Sequence, residues 1–194
     1  MSTPPKILAF AGSTRAESYN KKLLKIAIEG ARSAGAQVTF LNLHDLPLPL
    51  YDSDLEAREG LPLNARKLKE LMLEHHGFLI SAPEYNSSIT GVLKNTIDWA
   101  SRPAPGEKDL ACFIKKVAAI MSASPGALGG LRGLVHVRAI LENIHVLVLP
   151  QQVSIPKAHE AFDAEDNLKD PKKQAAIQTL GADLASVLAK LMAS

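Results

Sequence analysis

Short, wholly apolar runs alternate along the chain with longer stretches in which apolar positions recur every three or four residues. Ile7-Leu8-Ala9-Phe10-Ala11 is short enough for a strand buried on both faces, as in a parallel sheet. Val38 to Leu43, Phe78 to Ala82 and Lys116 to Met121 read as three more strands. Val146 to Leu149 with Val153 to Ile155 reads as a fifth, interrupted at Pro150. The intervening pattern predicts helices from about Ser18 or Asn20 through Arg32 (Leu24, Ile28, Ala31 inward) and over about 62–76 (Ala65, Leu68, Met72). Two more run from about Thr90 or Gly91 to Ser101 (Leu93, Ile97, Ala100) and over about 128–143, with Leu131, Leu134, Val137, Leu141 and Ile144 at helical spacing. Asp170-Pro171 opens a terminal helix with Ile177, Leu180, Leu184, Leu188 and Leu191 turned inward. Residues 44–60, rich in proline and acid, read as a long surface loop, and 102–110 as an exposed connection.

Five strands alternating with helices predict an α/β fold, a doubly wound five-stranded parallel sheet with helices on both faces. No repeat or linker divides the chain, so residues 1–194 are expected to form a single domain. The flavodoxin-like strand order 2-1-3-4-5 fits best. It puts the switch point between the first and third strands, so ligand contacts should come from the loops at their carboxyl ends.

Composition narrows the function classes. Twenty-two basic against 20 acidic residues leave a net charge of +2, too balanced to argue for nucleic acid. A single cysteine, Cys112, allows no internal disulfide and fits a reducing cytoplasm. Flanked by apolar residues, it reads as packing before nucleophile. The six histidines show no metal-ligand spacing, and no metal is expected. Met1 to Pro5 reads as a polar lead-in rather than a signal peptide, and no apolar run approaches the ~20 residues that span a bilayer.

The candidate chemistry sits in three loops. After the first strand, Gly12-Ser13-Thr14-Arg15-Ala16-Glu17-Ser18-Tyr19-Asn20 combines one glycine, three hydroxyls and one cation just before a helix. Free backbone N–H groups and the positive end of the helix dipole favour an anion there. The G-x-x-x-x-G-K-[ST] and G-x-G-x-x-G patterns are absent, which disfavours a nucleotidase or dinucleotide turn and suits a terminal phosphate monoester such as that of FMN. An ordinary turn with a capping serine has the same composition. After the third strand, Pro83-Glu84-Tyr85-Asn86-Ser87-Ser88 offers an aromatic to shield a flavin ring and backbone to bond its polar edge; Tyr85 also reads as a plain surface aromatic. After the fourth, Ser122-Ala123-Ser124-Pro125-Gly126 and the following glycines let a planar ligand come close to backbone.

Gly12-Ser13-x-Arg15-x-x-Ser18-x-Asn20, Pro83-Glu84-Tyr85-Asn86 and Gly91-Val92-Leu93-Lys94-Asn95-x-Ile97-Asp98-Trp99 together closely resemble the NADPH-dependent FMN reductase family, whose members reduce quinones, azo compounds and chromate. The resemblance runs from about residue 6 to 155. It implies an FMN-dependent oxidoreductase that takes electrons from NAD(P)H and passes them to a small acceptor: free flavin, quinone, azo compound or chromate. By the resemblance Ser13, Arg15, Ser18, Tyr19 and Asn20 belong to the phosphate end of the flavin. Pro83, Glu84, Tyr85 and Asn86 would line its ring, and the backbone of Ser122, Ala123, Ser124 and Gly126 would face the other edge. No catalytic side chain is required, because the flavin carries the chemistry. The resemblance also implies a homodimer or homotetramer; the composition leads us to expect a cytoplasmic protein without nucleic-acid or membrane partners. Trp99, on a short helix with Asn95 and Asp98, is expected on a face that a partner subunit covers. Two usual family features differ: the glycine often found after Asn86 is Ser87, and a proline common near position 90 is Thr90, both expected at the pocket rim. Arg102 or Gly106 to Lys108 reads as a solvated loop before a contact for the NADPH 2′-phosphate. An FMN electron carrier without nicotinamide turnover is disfavoured by the near-neutral charge, since such carriers are acidic. A non-catalytic flavin-binding protein is the other alternative.

Overall fold

Apolar runs form strands where helices can cover both faces, and the computed structural model, which describes residues 3–193, shows where that happens. Met1 and Ser2 of the polar lead-in lie outside the described residues. The first half of the chain builds β1 (Lys6–Ala11), α1 (Tyr19–Ser33), β2 (Gln37–Leu41), α2 (Ser53–Glu59), α3 (Leu63–Glu74) and β3 (Gly77–Ser81). A hairpin of β4 (Glu84–Tyr85) and β5 (Ser88–Ile89) leads into α4 (Gly91–Ser101). The rest is β6 (Val117–Ala123), α5 (Leu131–Asn143), β7 (Leu147–Ile155), α6 (Ala158–Ala161) and α7 (Pro171–Ala193). The main sheet is parallel, in the order β2-β1-β3-β6-β7. Setting the hairpin aside, this is the expected 2-1-3-4-5 order. The three middle strands are buried almost throughout, which is why they read so plainly as apolar runs.

The two faces are packed differently. On one, α1 and α7 cross so closely that a Cβ on Gly30 would overlap the Gln178 carbonyl, and one on Gly181 the Ala27 carbonyl. The other face is filled by larger side chains, among them Phe10, Phe78 and Phe113 in edge-on contact, with Leu68, Leu93 and Leu134. α7 has 23 residues, and an 18-residue stretch of it reaches a mean hydropathy of 1.2, enough by length and composition alone to cross a membrane, although Lys172, Lys173, Asp183 and Lys190 interrupt the helix. Its stripe of Ile177, Leu180, Leu184 and Leu188 is nevertheless packed against the protein's own core. Leu191, expected inward, is 54% exposed because the helix outruns the sheet.

Other departures have local causes. The fifth strand is continuous through Pro150. Ala118 pairs with Val148 and Ile120 with Gln152, so a bulge in β7 absorbs the proline, which has no N–H to donate. Arg138 of α5 fills that bulge, donating to the Leu149 carbonyl at 2.7 Å. The 44–60 segment is not simply a loop: a 3-10 turn covers Leu43–Asp45, and α2 forms behind Asp52, whose carboxylate caps the N–H groups of Asp54 and Leu55. α2 buries no residue, so it leaves no hydrophobic period in the sequence.

That segment also corrects the reading of Trp99. The indole is fully buried within the chain, packed with Leu61 and Ala65, and it donates to the Pro49 carbonyl at 2.8 Å. Asn95 holds the same strap, accepting from the Tyr51 N–H and donating to Pro49. Trp99 therefore offers no surface to a partner. Cys112 is likewise wholly buried, beside the Lys69 ammonium at 3.6 Å, and burial pushes its thiol up, as packing requires and a nucleophile does not.

Candidate functional site

Because β1, β3 and β6 are parallel neighbours, the loops that leave their carboxyl ends meet at one edge of the sheet. They enclose a cleft of about 90 Å³ lined by Ser13, Arg15, Ser18, Tyr19 and Asn20 from the first loop and the start of α1, Pro83 to Tyr85 from the second, and Ala123 to Pro125 from the third. Asn86 and Gly126 do not line it. Ser122 does not either: it sits inside β6, paired with Ser154, and its hydroxyl is buried against Gly130 without a hydrogen-bond partner among the described residues. Gly130, at φ +90°, leaves no room there for a side chain.

The first loop runs into a helix start that no side chain caps. Ser18 is the N-cap of α1, yet its hydroxyl makes no capping bond, in contrast to Asp52 of α2 and Thr90 of α4. The first N–H groups of any helix lack intrahelical acceptors, so α1 presents a positive end, two nearby hydroxyls and Arg15 to the cleft. Asn20 lines the same cleft, but its amide braces it. It donates to the Ala123 carbonyl at 2.7 Å and accepts from the Ala123 N–H at 3.0 Å and the Ser81 hydroxyl at 2.9 Å. One buried side chain thus fixes the first loop to the ends of both β3 and β6.

The second loop is a hairpin whose turn residues, Asn86 and Ser87, both have positive φ (51° and 67°), the geometry of a tight two-residue turn. Its Tyr85 is 62% exposed, while Glu84 points the other way. The Glu84 carboxylate accepts from the Arg132 guanidinium at 2.6 Å and from the Gly133 N–H at 3.0 Å, latching the hairpin to the start of α5. Burial alone would raise the Glu84 carboxyl, but the Gly133 N–H and Arg132 outweigh it and hold it below the usual value. Thr90, expected at the rim, is buried. It donates to the Gly12 carbonyl at 2.7 Å and caps α4 through the Leu93 N–H, joining the first loop to the second.

A larger cavity, about 460 Å³, lies between the 43–48 segment and α4. Its walls are mainly Leu43, Leu46, Leu48 and Val92, with no Lys or Arg, so an anion fits the smaller cleft better. The 102–110 connection is remote from the smaller cleft. α4 starts beside the site and is 11 residues long, so its far end is about 16 Å away. There Arg102 is bound to the Glu56 carboxylate at 2.9 Å, and Glu107 pairs with buried Lys69 at 2.7 Å. The segment is less solvated than its composition suggests. No cluster of three His, Cys, Asp or Glu is arranged for a metal among the described residues.

The chain is similar to known proteins. The chain matches the family model described as NADPH-dependent FMN reductase over residues 5–160. It is 39% identical over 180 residues to the NAD(P)H-dependent FMN reductase of Pseudomonas aeruginosa, covering 92% of each chain. It is 34% identical to the NADPH:quinone oxidoreductase of Arabidopsis thaliana, covering 85% of this chain and 82% of that one. Among solved structures, a flavoenzyme NAD(P)H:(acceptor) oxidoreductase from Paracoccus denitrificans superposes with a TM-score of 0.78 at 28% identity, over 96% of this chain and 98% of that one. Matched over most of its length, the chain belongs to the NADPH-dependent FMN reductase family, as an oxidoreductase that works with FMN and NAD(P)H.

Proposed function

We propose that the cleft holds FMN as a resident group and that the enzyme passes electrons from NAD(P)H to a quinone-type acceptor. The observation that carries the reading is the convergence of an uncapped helix start, two serine hydroxyls and Arg15 at one end of a cleft whose other end is the Pro83–Tyr85 hairpin. The donors fit a phosphate monoester in number and charge. The enclosed volume suits that group and leaves a flat ring along the open rim, against Tyr85 and Ala123 to Pro125. In this reading Ser13, Ser18 and Arg15 bind the phosphate, Asn20 and Glu84 hold the loops, and Pro83 and Tyr85 flank the ring. When bound, FMN supplies the hydride and electron chemistry.

The protein's part is to orient, and to leave one ring face open to nicotinamide and acceptor in turn. No general acid or base is needed at the cleft, and its one carboxylate, Glu84, is engaged otherwise. Glu84 is ionised and tied to α5. The quinone class is supported by the Arabidopsis relative, whose reaction its name gives. Steady-state NADPH oxidation by FMN-loaded protein with a benzoquinone tests it: acceptor-dependent turnover is expected, and FMN binding without turnover would contradict it.

The same reading has one domain over residues 1–194 acting in the cytoplasm as a symmetric oligomer. Assembly is supported by exposed apolar side chains at the start of α5, Leu131 and Val135, with Leu128 just before it. Light scattering should give a multiple of 20.8 kDa, and a monomer would refute the assembly.

A further inference from the structure

The segment between β7 and α7 lies mostly beyond the matched residues 5–160, yet it is fastened to the cleft on both sides. Its start is held by the third loop: the Lys157 N–H donates to the Gly126 carbonyl at 3.2 Å, and the Ala158 N–H to the Ser124 carbonyl at 3.0 Å. Its far part is held by α1, where Asp166 sits between the Lys22 ammonium at 2.5 Å and the Lys25 ammonium at 3.2 Å. Between these anchors the backbone closes on itself through the Phe162–Leu168 bridge. This geometry delivers the Phe162 ring to Tyr19, parallel within 9° at 6.1 Å between centroids. Tyr19 in turn carries the Arg15 guanidinium over its own ring at 5.3 Å.

We propose that Phe162 is a positioning residue for the phosphate end of the cleft: it braces Tyr19, and Tyr19 holds Arg15 where the phosphate binds. This rests on the flavin reading above. Arg15 is exposed and, among the described residues, its guanidinium makes no hydrogen bond or ion pair, so the Tyr19 ring is its recorded restraint. A free arginine side chain loses considerable rotamer freedom when it engages an anion. Holding it beforehand lowers that cost and tightens binding without adding a contact to the ligand. A phenylalanine that merely fills space would support the fold, and so the flavin ring and the phosphate alike.

The two roles separate in a double-mutant cycle read by FMN and riboflavin titration, riboflavin lacking the phosphate. Phe162→Ala should weaken FMN by about 2- to 5-fold, the factor expected of an exposed cation–ring contact, and leave riboflavin unchanged. In the Arg15→Ala background the same substitution should change FMN affinity by less than about 1.5-fold, because the two act through one contact. Phe162→Tyr, which keeps the ring, should match the wild type. If Phe162→Ala does not fold, Phe162→Leu takes its place in the cycle and should show the same FMN-selective loss. Equal losses for riboflavin and FMN, an unchanged factor in the Arg15→Ala background, or no loss at all would overturn the proposal. A wild type that binds FMN no more tightly than riboflavin would overturn the flavin reading itself, and Phe162 would not be the cause.

Discussion

The two ends of the cleft are held by different physics. At the end proposed for the phosphate the brace is Asn20, neutral, 4% exposed, with three hydrogen bonds to buried groups. At the ring end the brace is Glu84, charged, its partner Arg132 more than half exposed. Buried neutral bonds are costly to break because the abandoned partners stay dry, whereas in the ion pair Arg132 is exposed, screened and free to resolvate, although the Glu84 side chain, 8% exposed, is not. One end is therefore tied into the core, and the other is latched to α5 through an ion pair with an exposed partner. That suits a site where the phosphate stays put while nicotinamide and acceptor take turns against the ring.

The contrast can be broken most sharply at Asn20. Asn20→Ala strands the Ala123 N–H and the Ser81 hydroxyl and should cost about 2–5 kcal/mol in urea unfolding. A loss below 1 kcal/mol would mean that the phosphate end is not core-like. Arg15→Ala should leave stability within about 0.5 kcal/mol, since the side chain is exposed. It should weaken FMN by about 10- to 150-fold, the value of one charge-assisted bond, and spare riboflavin.

Glu84→Gln should cost only about 1 kcal/mol, because Arg132 is partly solvated, and should show itself as a raised KM for the acceptor with kcat little changed. The same pair sets a pH limit. The folded carboxyl lies below its ordinary value, so the latch contributes fully above the unfolded pKa of about 4.3 and is lost as pH falls through the lower folded value. The acceptor KM should therefore be independent of this group from about pH 5 to 8 and rise only below about pH 4. The smallest effect has the opposite sign. Ser87, at φ +67°, occupies a backbone geometry that suits glycine, so Ser87→Gly should stabilise the hairpin by up to about 1 kcal/mol in thermal melts.

What the sequence revealed follows from the same division. β1, β3 and β6 are covered on both faces, so their apolar runs were unambiguous, and the loops at their carboxyl ends were the places to look for a ligand. Ser13, Arg15, Ser18 and Tyr85 stood out by residue type in those loops. Partners far apart in the chain left no local mark. Glu84 and Arg132 are separated by 48 residues, Asn20 and Ala123 by 103, and neither pairing has a spacing to recognise. Phe162 sits in a segment without periodicity, and α2 buries nothing, so both were silent. Trp99 misled because a large aromatic on a short helix looks alike whether a partner subunit or the chain's own 44–60 strap covers it.

The central claim is that the three loops form one FMN site with the phosphate at the start of α1. Titrating FMN and riboflavin into the wild-type protein and following the flavin fluorescence tests it most directly. Saturable quenching at one FMN per chain is expected, with riboflavin bound at least about 10-fold more weakly for want of the phosphate contacts. Equal affinity for the two flavins, or no quenching at micromolar protein, would contradict it.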